Sequence, residues 1–140
     1  MIILTKIFHF EMAHAIHGYS GACKNIHGHS YELHVSISSK EMNEDYIPAP
    51  GFIIDFKDLK KLINSAIIDK FDHKLVLSRA FLNEHKTIIN EENLIEWEVE
   101  PTVENLLIYI KKILNERLSN GIKLVKIKLH ETKDSFAEWV

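Results

Sequence analysis

At 140 residues, 46% of them hydrophobic, the chain can fill one packed core and is too short for two, so residues 1–140 read as a single domain. A net charge of −3 with 26% charged residues excludes the broad electrostatic pull of nucleic-acid and anionic-membrane binders. The single cysteine, Cys23, allows no internal disulfide and fits a reducing compartment. Met1-Ile-Ile-Leu gives way at once to Thr5 and Lys6, and no stretch reaches the length of a membrane span. The expected location is cytoplasmic.

Residues 2–10 read as a strand with Ile2, Leu4, Phe8 and Phe10 on one face and Lys6 as the exception. That parity runs on through Met12 to His14. Residues 11–28 hold Gly18, Gly21 and Gly28 among polar residues, a loop returning into a strand from about His29 to Ser39. On the second strand Tyr31, Leu33, Val35 and Ile37 share the face of His27 and His29, while Ser30, Glu32, His34, Ser36 and Ser38 take the other. Asn43 to Gly51, with Pro48 and Pro50, is a turn-rich connection.

Asp55 is placed to cap a helix with an apolar stripe of Phe56, Leu59, Ile63, Ala66, Ile67 and Phe71. Between Ser78 and Glu100 the pattern is weakest; Ile88-Ile89 and Leu94-Ile95 around Asn90-Glu91-Glu92-Asn93 predict a short hairpin. Pro101-Thr102 opens a second helix, with Val103, Leu106, Leu107, Ile110, Ile113, Leu114 and Arg117 on one face and Asn120-Gly121 as its end. Strands from Ile122 to about Glu131 and from Ser135 to Val140 complete the chain. The order ββααββ predicts an α+β fold with four strands and both helices on one sheet face. Its open edges invite pairing with further copies of the chain, so a symmetric oligomer is expected.

Three histidines carry the chemistry. His14, His27 and His29 end two apolar stripes, and imidazoles in such places need a buried partner. Backbone carbonyls would satisfy a single core histidine. Three at these parities suit Zn²⁺ with one coordination position left open. Two readings stand for Cys23, four residues before His27. It is a fourth ligand sealing a structural Cys-His₃ site, or an unligated thiolate favoured by the nearby positive charge and able to remove a proton.

Asp72-His73 follows the first helix and is either a carboxylate–imidazole pair or a helix end with solvated charges. Neighbours in sequence rarely hydrogen-bond to each other directly. Glu131 shares the parity of Val125, Ile127 and Leu129, so it also ends an apolar stripe. It either accepts paired N–H donors from a flat heterocycle or turns to water. Glu104 lies in a first helical turn, where the dipole favours a carboxylate anyway, and its position alone assigns it no role. His9, His34, His85 and His130 read as polar-face or loop residues, and His17 is undecided.

Six segments resemble, in order, the 6-pyruvoyl-tetrahydropterin synthase family. They are Phe10-Glu-Met-Ala-His14, Cys23-Lys-Asn-Ile-His27-Gly-His29-Ser-Tyr31, Gly51-Phe-Ile-Ile-Asp55-Phe, Phe71-Asp72-His73, Pro101-Thr102-Val-Glu104-Asn105 and His130-Glu131-Thr132. The three-residue gap between Cys23 and His27 is most like the 6-carboxytetrahydropterin synthase branch of the queuosine pathway.

The resemblance implies the tunnelling fold, an antiparallel four-stranded sheet with two helices, which closes into a barrel as a trimer and stacks as a dimer of trimers. It also implies Zn²⁺ on His14, His27 and His29, with Cys23 as general base. Asp72 and His73 would join a relay across a subunit boundary, Glu131 would anchor a pterin, and Thr102 and Glu104 would lie near that pocket. The implied substrate is 7,8-dihydroneopterin triphosphate, with Lys24 or Lys133 near its phosphates. Met12, where a small residue is usual, and residues 83–99 depart from the family pattern.

Overall fold

A computed structural model of the protein describes residues 1–41, 45–87 and 91–140. Strand β1 (Leu4–His14) alternates as its pattern predicts and runs four residues further. Phe8, Phe10, Met12 and His14 are buried, while Ile7, His9 and Glu11 face out. Lys6, the odd member of the stripe, carries its ammonium 5.9 Å from the centre of the Phe56 ring, so the charge sits at the edge of the core. Strand β2 (His27–Ser39) pairs antiparallel with β1 in a register that runs from Leu4↔Ile37 to His14↔His27.

Helix α1 (Phe56–Ile63) starts at Asp55, whose carboxylate accepts the Lys57 N–H at 2.8 Å. A π-helical turn (Asn64–Ile68) and a last turn, α2 (Asp69–Phe71), continue it and keep Ala66, Ile67 and Phe71 buried. Helix α4 spans Val103–Arg117. Thr102 caps it by accepting the Asn105 N–H at 3.2 Å, and it stops at Leu118, short of the expected Asn120-Gly121. Strands β5 (Ile122–His130) and β6 (Phe136–Trp139) follow; β5 pairs with β2 and β6 with β5, both antiparallel. One face of this sheet meets α1, the π turn and α4 in a core that includes Phe10, Tyr31, Leu33, Ile63, Leu106 and Ile110. Phe10 and Tyr31 stack there with ring centres 5.0 Å apart.

The remaining elements correct the expected architecture. Strand β3 (Lys74–Ser78), helix α3 (Arg79–Glu84) and strand β4 (Leu94–Trp97) enlarge the sheet to six strands among the described residues, in the order β4-β3-β1-β2-β5-β6. Both β3–β1 and β4–β3 are parallel pairs, so the sheet is mixed rather than antiparallel. Leu75, Val76 and Leu77 are buried in succession, and a strand covered on both sides has no alternation to read. Val76 joins the main core, whereas Leu75 and Leu77 pack with Ala15, Phe81 and Leu82. Helix α3 therefore covers the opposite face, and the helices are not confined to one side.

The first arm of the expected hairpin, Ile88-Ile89, lies outside the described residues, as do Asn43 and Glu44 of the turn-rich connection. Its second arm, Leu94-Ile95, belongs to β4 and pairs with β3. No helix among the described residues is long and apolar enough to cross a membrane.

A two-residue clip joins the end of α2 to β1. The Asp72 carboxylate accepts the Glu11 N–H at 2.9 Å, and the His73 N–H donates to the Glu11 carbonyl at 2.6 Å. His73 has a φ of 62°, the left-handed region that non-glycine residues seldom occupy. Contrary to the expectation for sequence neighbours, the His73 Nδ1 lies 3.1 Å from the Asp72 carboxylate. The Glu11 N–H, then His73, hold the Asp72 carboxyl below its ordinary value of 3.8.

The folded state therefore binds fewer protons at this site than the unfolded chain does. The stabilisation is fully present above the ordinary value and is lost as pH falls through the depressed one. In urea melts between pH 7 and pH 2, the stability advantage of the natural chain over Asp72→Asn should be constant near neutrality and shrink below about pH 4. An advantage that does not change with pH would show that the clip does not depend on the ionised carboxylate.

Candidate active site

The β1–β2 register explains why three distant imidazoles meet. His14 and His27 are directly opposed across the two strands, and His29, paired with Met12, is two residues along from His27 on the same face. One ring nitrogen from each residue falls within 4.8 Å of the others. The His14 and His27 Nε2 atoms are 3.1 Å apart. His14 is buried, and the other two are partly exposed.

Backbone carbonyls set the tautomers of two of the rings. The His14 Nδ1–H donates to the Pro101 carbonyl at 2.7 Å, and the His27 Nδ1–H donates to the Asn25 carbonyl at 2.7 Å. Both Nε2 lone pairs then face the same short gap. Two lone pairs at that separation repel unless a cation, either a proton or a metal ion, lies between them. The His29 Nε2 is buried without a hydrogen-bond partner. Burial, the largest influence, lowers the proton affinity of His29, which favours the neutral ring that ligates metal. The donor set fits a divalent ion of the zinc type, and these three residues would hold it.

Glu131 follows β5 and brings its Oε1 to 3.2 Å from the Nε2 of both His14 and His29. A hydrogen bond with His14, and next the charge of His29, hold its carboxyl below the usual range. An anion so close to two ring nitrogens again calls for positive charge between them. Beneath it the Tyr31 phenol is pushed well above its ordinary range by burial, and second by Glu131, so it stays protonated.

A cavity of about 330 Å³ opens beside the cluster and is lined in part by His14, Tyr19, Cys23, Thr102, Glu104 and Glu131. Five of the residues singled out from the sequence therefore share one wall system. Cys23 sits in a 3₁₀ turn (Ala22–Lys24) and is exposed; its carbonyl accepts the Ile16 N–H at 2.8 Å, which ties the loop to the end of β1. Its sulfur lies outside the set of mutually close ligand atoms. That placement favours the free thiol over the sealed Cys-His₃ site.

Asp72 and His73 do not reach this cavity within one chain. His73 lines a separate hollow with Glu11, His29 and Asn93, and its side chain is 79% exposed. His17 donates its backbone N–H to Glu100 at 2.7 Å and turns its ring toward Glu84, 3.7 Å away on α3. Lys24 lines the adjoining hollow with His17 and His85.

Sequence reasoning missed the carbonyls of Pro101 and Asn25 and the ring of Tyr19. Backbone acceptors leave no residue-type signature, so only Pro101 had a cue, its place at the start of a helix. Thr102 proves to be the cap that fixes where that helix begins, and hence where the Pro101 carbonyl points.

The model of the family described as 6-pyruvoyl tetrahydropterin synthase matches residues 3–140. A protein from Haemophilus influenzae named 6-carboxy-5,6,7,8-tetrahydropterin synthase is 33% identical over 143 residues, covering 99% of each chain. An uncharacterised protein from Wolinella succinogenes superposes with a TM-score of 0.77 at 19% identity, over 99% of this chain and 97% of that one. The 6-pyruvoyl tetrahydropterin synthase of Caenorhabditis elegans does so with a TM-score of 0.69 at 23% identity, over 99% and 94%. Those two likenesses show the fold. With the family match spanning the sheet, both long helices and all three histidines, the chain belongs to the 6-pyruvoyl tetrahydropterin synthase family.

Proposed function

We propose that this chain is a zinc-dependent 6-carboxytetrahydropterin synthase. With one water consumed, it would convert 7,8-dihydroneopterin triphosphate to 6-carboxy-5,6,7,8-tetrahydropterin and release acetaldehyde and triphosphate. The observation that carries the reading is the convergence of His14, His27 and His29 at the wall of a cavity shared with the free Cys23. The full-length likeness to the Haemophilus protein of that name, with the three-residue step from Cys23 to His27, supports this product over the 6-pyruvoyl one.

Zn²⁺ on the three histidines would supply Lewis-acid chemistry, making a carbon-bound hydrogen beside a coordinated hydroxyl more acidic. Cys23, as thiolate, takes that proton; its exposed position in the 3₁₀ turn leaves the sulfur free to approach the substrate. Glu131 accepts the paired N–H groups of the pterin, a contact that orients a flat ring. The same carboxylate faces His14 and His29, so it also balances charge at the cluster. Thr102 and Glu104 line the substrate cavity, with Thr102 holding the helix start that orients His14.

Asp72 and His73 project away from their own chain's cavity and serve a neighbouring subunit's site in a barrel-forming oligomer. Outer strands β4 and β6 supply the edges for that closure. Triphosphate loss and keto–enol shifts then precede departure of the two-carbon fragment. Lys24, which lines the hollow adjoining the cavity, or Lys133 would meet the phosphates.

Incubation of the zinc-loaded protein with the triphosphate should give the 6-carboxy pterin and one acetaldehyde per turnover. A 6-pyruvoyl product without acetaldehyde would contradict the assignment. Cys23→Ser should keep zinc and fold while kcat falls by about 10²–10⁴, the usual worth of a general base. Loss of zinc from that variant would instead make Cys23 a ligand and the site a structural staple.

A further inference from the structure

The sheet face away from the main core carries a second group of metal-type donors. Glu32 on β2 is directly opposed to His130 on β5, and on its other side to His9 on β1. His34 lies two residues further along β2 and so points to the same face. One donor atom each from Glu32, His34 and His130 falls within 4.8 Å of the others, as in the active-site trio.

We propose that Glu32, His34 and His130 form a second binding site for a divalent transition-metal ion, distinct from the His14–His27–His29 centre. Two imidazoles and one carboxylate suit Zn²⁺, Co²⁺, Ni²⁺ or Cu²⁺ and leave positions for water. Ligand atoms about 2.1 Å from a tetrahedral ion lie roughly 3.4 Å apart, so small side-chain rotations close the set.

The surroundings hold the donors in place. The Glu32 Oε1 pairs with the His34 Nε2, while Oε2 faces the His9 Nδ1 at 3.9 Å. The rings of His34 and His130 lie 5.5 Å apart, and Phe136 packs on His130 at 4.8 Å. Hydrogen bonding from His34 keeps the Glu32 carboxyl below its usual range, in the ionised form a cation needs.

The nearby ammonium groups are engaged elsewhere. Lys128, the cross-strand partner of His34, sits 3.7 Å above the Phe136 ring, and Lys126 pairs with Glu138 at 2.8 Å. A plain ion pair would need only Glu32 and His34; His130, opposed to Glu32 across the strands, supplies a third donor.

Titration of the metal-stripped full-length protein with Co²⁺, followed by visible absorption and metal analysis, tests the proposal. Glu32→Gln and His34→Ala should each bind one equivalent fewer per chain than the natural protein, with unchanged circular dichroism. The Glu32→Gln side chain is nearly isosteric, which guards against loss of fold in the alanine variant. A stoichiometry unaltered by both substitutions would overturn the site. The count is a difference between variants, so it stands whether or not the His14 centre binds metal or turns over a pterin.

Discussion

The pairing of His14 with His27 across β1 and β2 is the constraint on which the rest of the structure depends. An antiparallel register allows no half-steps: moving it by one residue would send every side chain of β2 to the other face. The stripe Phe8, Phe10, Met12 meets Tyr31, Leu33, Val35 in the core, and the same alignment delivers three imidazoles to its end. Core packing and site assembly are thus one geometric event. The cost is a cluster of polar nitrogens against an apolar wall, and their carbonyl partners relieve only part of it.

The helix after Thr102 has a second task beyond covering the sheet. Its capped start presents the Pro101 carbonyl to His14, and its first turn lines the cavity. At the far side, the Asp72–His73 clip fastens α2 to β1 next to His29 and aims an imidazole outward. Site residues therefore come from the ends of elements whose middles form the core.

Much of this was readable from alternation and caps. The stripe parity of β1 and β2, the Asp55 and Thr102 caps, and the strand from Ile122 all follow from local chemistry, and each is seen. Strand β3 escaped because Leu75, Val76 and Leu77 are all buried, so the pattern that marks a half-covered strand is missing. Strand β4 partners β3 in parallel, a pairing set by tertiary position rather than by a turn. Convergence of His14, His27 and His29 was foreseeable from parity. The grouping of Glu32, His34 and His130 obeys the same rule, but it depends on the β2–β5 register, which a single strand's pattern does not contain.

The most direct test of the central claim is zinc K-edge X-ray absorption on the protein loaded with one equivalent of zinc. The account predicts a shell of light atoms near 2.0–2.1 Å with the outer scattering of about three imidazoles and no sulfur. A sulfur scatterer near 2.3 Å, or a shell without imidazoles, would contradict it.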